Sequence, residues 1–176
     1  HNPLPFAPTE ETRMLQDLVA RFVDKELIPL EPAILKREAE GKGFKLSEEE
    51  ETRLLTRCKE LGLWGLDVPE EFGGANLSLS ALAAAEEELG RACVPFVIPP
   101  DSPNLHMMLS VANSMQRERY LAPYAEGTAR SAMAISEPGA GGDPAGMTTR
   151  AVKDGNDWVI NGRKIANFFD NFKVLK

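Results

Sequence analysis

Ala134-Ile135-Ser136-Glu137-Pro138-Gly139-Ala140-Gly141-Gly142-Asp143 is the stretch at which the chain changes character. Behind it, Thr148 to Lys153 alternate with β-branched residues, Asp154-Gly155-Asn156 marks a turn, and Trp158-Val159-Ile160 makes another extended run. Asn161-Gly162 is a strong hairpin signal of the type that needs positive φ at both positions. In front of it, Ser131 to Ser136 reads as a short strand leading into the Gly/Pro turn of residues 137–144. The expected fold class is therefore α+β, with an all-helical domain over residues 1–130 and the start of an antiparallel sheet domain over 131–176.

The helical part has its own punctuation. Thr9, followed by Glu10 and Glu11, caps an amphipathic helix carrying Met14, Leu15, Leu18, Val19, Phe22 and Val23 on one face. Pro29 and Pro32 are expected to end or bend it, before a loop through Gly41 and Gly43. Ser47 with Glu50 is a capping-box pattern that opens a second helix, which Gly62 stops. An ordered loop from Leu63 to Gly74 follows. Ser78 or Ser80 then caps a helix through Arg91, with Leu79, Leu82, Glu86 and Leu89 setting its buried and wet sides. A fourth helix is expected around Leu105 to Ala112 and a fifth from Gln116 to Tyr124, closed near Gly127.

Composition narrows the classes of function. The 176 residues are 43% hydrophobic, enough to bury a real core, and the formal net charge is -7 with acids and bases mixed along the helices. That leaves no concentrated basic surface for a phosphate backbone, so nucleic acid is not an expected partner. The longest apolar stretches, such as Leu79 to Ala85, are too short to cross a bilayer, and the N-terminus has no signal pattern. Cys58 and Cys93 lack C-x-x-C spacing, and a reduced compartment is the simplest reading. Both cysteines and His106 are expected as core residues rather than ligands or nucleophiles, and Met107, Met108 and Met115 as core filler.

The glycines at 139, 141 and 142 let backbone amides approach a ligand with no Cβ in the way, and consecutive N–H groups suit an anionic or carbonyl-bearing partner. Taken alone, the same residues describe a plain surface turn between strands. Their company separates the two readings. The run from Ala134 to Asp143, followed by Asp154-Gly155, Trp158-Val159-Ile160-Asn161-Gly162 and Arg163-Lys164, resembles the signature of the acyl-CoA dehydrogenase family. Gly62-Leu63-Trp64-Gly65 with Pro69-Glu70-Glu71-Phe72-Gly73-Gly74, and Gln116 to Leu121 with Gly127, look like two further landmarks of it.

The resemblance implies an N-terminal helical domain, a middle β-barrel-like domain, and FAD as cofactor. It implies cofactor contacts for Met133, Ile135, Ser136, Gly141 and Gly142, with Ser136 offering its hydroxyl and backbone N–H to the pyrimidine side of the flavin ring. Gly142 stands where the family often has a serine that helps hold the CoA portion, so it marks a substrate-binding position with one contact altered. The segment Asp101-Ser102-Pro103-Asn104-Leu105 is expected to face the flavin from the helical domain. Glu137 is not the expected base, since the family's base is a glutamate of a C-terminal helical domain; Glu137 belongs to the structural turn.

The implied reaction converts an acyl-CoA to a trans-2-enoyl-CoA, with an electron-transfer flavoprotein as acceptor and a homodimer or homotetramer as the assembly. The setting is the bacterial cytoplasm or the mitochondrial matrix, in fatty acid β-oxidation. Alternatives are a non-catalytic helical scaffold and an acyl-CoA oxidase relative. The chain is expected to stop short of the remaining β-domain and the C-terminal domain. The family continues Asn161-Gly162-Arg163-Lys164-Ile165 with Trp-Ile-Thr, where this chain has Ala166-Asn167-Phe168-Phe169, and a chain break is expected at the Ile165-Ala166 junction.

Overall fold

The computed structural model describes residues 8–100, 104–129 and 134–165. The chain divides into two compact units, one ending at Ala129 and one beginning at Arg130. The first is helical and the second holds a two-stranded antiparallel sheet, as an α+β fold requires.

In the helical unit, α1 (Glu10–Phe22) starts where the Thr9 hydroxyl accepts the Thr12 N–H at 3.1 Å. Pro29 and Pro32, expected to end or bend this helix, do not stop the helical path. A π-turn over Val23–Leu27 and a 3₁₀ turn over Ile28–Leu30 carry the backbone directly into α2 (Glu31–Ala39). Both prolines fall in the first turn of a segment, where the missing N–H has no intrahelical acceptor to lose, and the π-turn resets the ladder ahead of them. Next, α3 (Glu48–Leu61) has the full capping box on Ser47 and Glu50 and ends on Gly62 in the left-handed conformation, φ 72°.

Ser78 caps α4 (Leu79–Leu89). Its buried face runs Ala81, Ala85, Leu89, while Leu79 is 82% exposed, so the small residues rather than the first leucine set the packing side. That thin face lies along α1. Val19, Phe22, Val23 and Leu27 meet Leu54, Cys58, Leu63, Ala85 and Leu89 in one core cluster. After α5 (Leu105–Val111), Asn113 caps a short α6 (Ser114–Gln116), which runs through a π-turn (Arg117–Leu121) into α7 (Ala122–Ala125). Leu105, Leu121, Tyr124 and Ala125 close a second cluster with Val68 from the 63–74 loop.

Several side chains expected inside are outside. Met107 and Met115 are exposed, and only Met108 packs against the second cluster. His106 is exposed too, with Nε2 3.7 Å from Asp67 Oδ2. Cys93 is exposed in the turn after α4, where its N–H donates to Glu31 Oε1 at 2.7 Å. Cys58 does sit in the core, and burial, aided by the charge of Glu26, pushes its thiol up to about 12, which keeps it unreactive.

In the second unit, β1 (Arg150–Asp154) pairs with β2 (Asp157–Asn161) in the register Arg150↔Asn161 through Asp154↔Asp157. The hairpin loop is therefore Gly155-Asn156, with positive φ at Gly155 alone, the sign pattern of a II′ turn. The turn expected at Asn161-Gly162 is absent. Asn161 is the last paired residue of β2, and a Cβ on Gly162 would lie 2.0 Å from Thr149 Oγ1, so that glycine serves close approach rather than reversal. Ala134 to Ser136 lie outside any regular strand, and residues 130–133 lie outside the described ones.

Glu50 ties the second and third helices together, accepting from Arg37 at 2.7 and 3.2 Å while also accepting the Ser47 N–H at 2.7 Å. Partial burial pushes its carboxyl upward, but the Arg37 guanidinium and the Ser47 amide outweigh it and hold the group below its ordinary value of 4.5. Because the folded pKa is depressed, the stabilisation is present above the unfolded value and disappears as pH falls through the folded one. Glu50→Gln keeps the cap and removes the charge. Its unfolding free energy should lie below wild type at pH 7, by about 0.5–1 kcal/mol for a partly exposed pair, and the two should converge once pH has fallen below the depressed folded value.

Candidate functional site

The turn at 137–140 is closed by two backbone hydrogen bonds, Glu137 N–H to Ala140 O at 2.9 Å and Ala140 N–H to Glu137 O at 3.1 Å. Ala140 is buried, whereas Pro138 and Gly139 at the tip are exposed. Asp143 then caps a 3₁₀ turn over Pro144–Gly146 by accepting the Ala145 N–H at 3.0 Å, which turns the chain back towards β1.

Inside this bend sits the Glu137 side chain, 3% exposed. Its Oε2 accepts from Thr148 N at 2.7 Å and Thr148 Oγ1 at 2.9 Å, and its Oε1 from Thr149 N at 3.0 Å and Lys164 Nζ at 3.0 Å. Four donors fill the roughly four lone-pair directions of a carboxylate. The donors of Thr149 and Thr148 and the Lys164 ammonium together hold the Glu137 carboxyl far below the usual carboxylate range. A group so occupied has no free lone pair to take a proton and is ionised at every physiological pH. Its geometry is that of a structural anchor.

The anchor sets what the turn presents. Ile165 N–H donates to Ser136 O at 2.8 Å and Lys164 Nζ to Ile135 O at 2.9 Å, so the carbonyls of both residues are held by two adjacent residues beyond β2. Ile135 and Ser136 are exposed, as are Gly141 and Gly142. The N–H groups of Ser136, Gly139, Gly141 and Gly142 donate to no acceptor among the described residues. A Cβ built on Gly139, Gly141 or Gly142 would meet nothing within 4 Å, so the space over these amides is open.

Of the residues singled out in the sequence, Ile135, Ser136, Gly141 and Gly142 thus flank one anchored turn, and Met133 lies outside the described residues. Residues 101–103 and the Ile165-Ala166 junction also lie outside them. Asn104 and Leu105 are buried within the helical unit, and Leu105, completely buried, belongs to its second core. Sequence reasoning missed Lys164, Thr148 and Thr149 as partners of Glu137. The available signal was a lone acid in a Gly/Pro turn, 11 and 12 residues ahead of two adjacent threonines.

Two cavities of about 480 and 810 Å³ lie within the helical unit. The smaller is lined by Trp64, Val68, Phe72 and Ala125, with Lys59 Nζ 4.2 Å from the Trp64 ring centre. Among the described residues no cluster of three or more His, Cys, Asp or Glu side chains is arranged to hold a metal, and no helix is long and apolar enough to cross a membrane.

The model of the acyl-CoA dehydrogenase N-terminal domain matches residues 9–128. The (R)-benzylsuccinyl-CoA dehydrogenase of Thauera aromatica is 38% identical over 170 residues, covering 92% of this chain and 42% of that protein. The structure of butyryl-CoA dehydrogenase from Megasphaera elsdenii superposes with a TM-score of 0.69 at 26% identity, covering 92% of this chain and 42% of that one. A glutaryl-CoA dehydrogenase from Mycobacterium smegmatis in complex with FADH2 gives a TM-score of 0.67 at 27% identity, covering 88% and 38%. The chain spans less than half the length of each of these proteins.

Removing the anchor should release what it holds. Glu137→Ala is expected to abolish the hydrogen-exchange protection of the Thr148 and Thr149 amides at pH 7. In the wild type the same protection should persist through the ordinary carboxylate range and fade only at lower pH, because the folded pKa is depressed. Unchanged protection in the variant would show that the carboxylate does not hold the turn.

Proposed function

The chain belongs to the acyl-CoA dehydrogenase family, and from that premise we propose that it is part of an FAD-dependent enzyme that oxidises an acyl-CoA thioester to a trans-2-enoyl-CoA. One observation carries the reading: the Glu137 anchor leaves Ser136, Gly141 and Gly142 with exposed, unpartnered main-chain donors and no side chain over the glycines. Such donors fit a cofactor with carbonyl oxygens on its ring and a pyrophosphate in its tail.

Ser136 N–H and Oγ would hold the pyrimidine edge of the flavin, Ile135 would lie against the ring with its exposed apolar side chain, and the amides of Gly141 and Gly142 would take phosphate oxygens. Met133 belongs to the same proposal. When bound, FAD supplies the hydride acceptor for the substrate's β-hydrogen. The chain's own contribution is to bind and orient that acceptor and to keep Glu137 out of the chemistry as a fully paired anion. The α-proton goes to a carboxylate outside these 176 residues, and Gly142, lacking a hydroxyl, gives the CoA portion a backbone donor only. The electrons leave to a separate electron-transfer flavoprotein, and the assembly is a homodimer or homotetramer in the bacterial cytoplasm or mitochondrial matrix.

The full-length protein should purify yellow and bleach when acyl-CoA is added without oxygen. Ser136→Ala should weaken FAD retention by about threefold to tenfold, the worth of one net hydrogen bond, while Gly141→Val should prevent it by filling the approach to the amide. A colourless protein that takes up no added FAD would end this reading and favour a scaffold.

A further inference from the structure

Lys164 is placed by three acceptors for its three N–H donors: Ile135 O at 2.9 Å, Glu137 Oε1 at 3.0 Å and Met147 Sδ at 3.2 Å. Its side chain is only 27% exposed, and Glu137's is 3% exposed. An ammonium with every donor taken cannot swing, so it defines a fixed positive charge against one particular carbonyl. That carbonyl matters because of the peptide it belongs to. In a planar trans peptide the C=O of residue 135 and the N–H of residue 136 share one rigid unit and point in opposite directions. The peptide is trans, the only cis bond among the described residues being Pro99-Pro100.

Two consequences follow from that geometry. Fixing Ile135 O fixes the direction of the Ser136 N–H, which points away from Lys164 and meets no described acceptor. A positive charge on the carbonyl oxygen also draws electron density through the amide and makes its N–H a stronger donor, as hydrogen bonds in a chain polarise one another. The peptide on the other side of Ser136 is held as well, by Ile165 N–H to Ser136 O at 2.8 Å and Glu137 N–H to Ala140 O at 2.9 Å. Both peptides flanking Ser136 are thus clamped, while its own N–H and hydroxyl meet no partner among the described residues.

On the premise that Ser136 meets the flavin as set out above, we propose that Lys164 is a positioning residue that acts through the Ile135-Ser136 peptide, aiming and polarising the Ser136 N–H towards a ring carbonyl of the cofactor. Glu137 and Met147 hold the ammonium in place for that task. A polarised donor favours whichever redox state carries more negative charge on the carbonyl edge of the ring, which is the reduced one. Lys164 therefore raises the reduction potential of the bound flavin as well as its affinity. A merely structural lysine would weaken both redox states alike and leave the potential where it was.

The test uses the full-length protein, stripped of cofactor and titrated with FAD, with the potential measured on reloaded protein. Lys164→Met should weaken FAD binding about tenfold, the order of one charge-assisted hydrogen bond, and shift the potential to more negative values. Lys164→Arg should restore part of both, since it keeps the charge but spreads it over a planar fork. If Lys164→Met does not fold, Lys164→Arg alone decides: a potential below wild type supports the proposal, and a wild-type potential overturns it. Wild-type protein that binds no FAD refutes the flavin reading itself. Wild-type protein that binds FAD, with variants equal to it in affinity and potential, refutes the role of Lys164 and leaves the flavin reading standing.

Discussion

Everything the second unit presents depends on one buried carboxylate being paired on all sides. An ionised Glu137 with unmet lone pairs would be costly where it sits, and the chain meets that cost by bringing Thr148, Thr149 and Lys164 to it from two places in the sequence. Those contacts fix the start of β1 and the residues after β2 relative to the 137–140 turn. A short Gly/Pro segment with little apolar surface is thereby held to one shape by electrostatics, where packing alone would leave it loose.

The helical unit is built on the opposite logic. Its order comes from apolar burial along α1, α3 and α4, with polar devices added at the ends of helices, among them the Thr9 and Ser78 caps, the Ser47 and Glu50 box, and the Arg37 pair that joins α2 to α3. Trp64 is a further tie, donating to Ala125 O at 3.1 Å while its ring leaves room for no side chain at residue 127, where glycine has φ 74°. The buried cysteine of this core takes part in packing only.

Much of this was legible beforehand because local chemistry and tertiary structure agree. Capping boxes, left-handed glycines and the change from helical to alternating period each specify a boundary without reference to distant residues, and α3, with Ser47 and Gly62 at its ends, shows it. The failures have physical reasons too. Pro29 and Pro32 read as an end or a bend because a sequence does not show that a π-turn will place them in tolerated positions. Asn161-Gly162 carried the stronger hairpin signal, but the pairing register and the crowding of Gly162 by Thr149 selected Gly155-Asn156. Met107, Met115 and His106 could not be assigned to surface or core from spacing, since α5 and α6 are too short for a face to be read, and Cys93 lies beyond the end of α4, where no helical period applies. At the site, Glu137, Ser136 and the glycines were visible in the turn motif, whereas Lys164 became visible only through the fold, because its partners lie 17 to 29 residues away.

The most direct measurement is a structure of the full-length protein with FAD bound, read for the distances from the Ser136, Gly141 and Gly142 nitrogens to cofactor oxygens. The account requires the Ser136 nitrogen and at least one of the two glycine nitrogens to lie within about 3.2 Å of a flavin or pyrophosphate oxygen. It is contradicted if the cofactor sits elsewhere and all three amides face water.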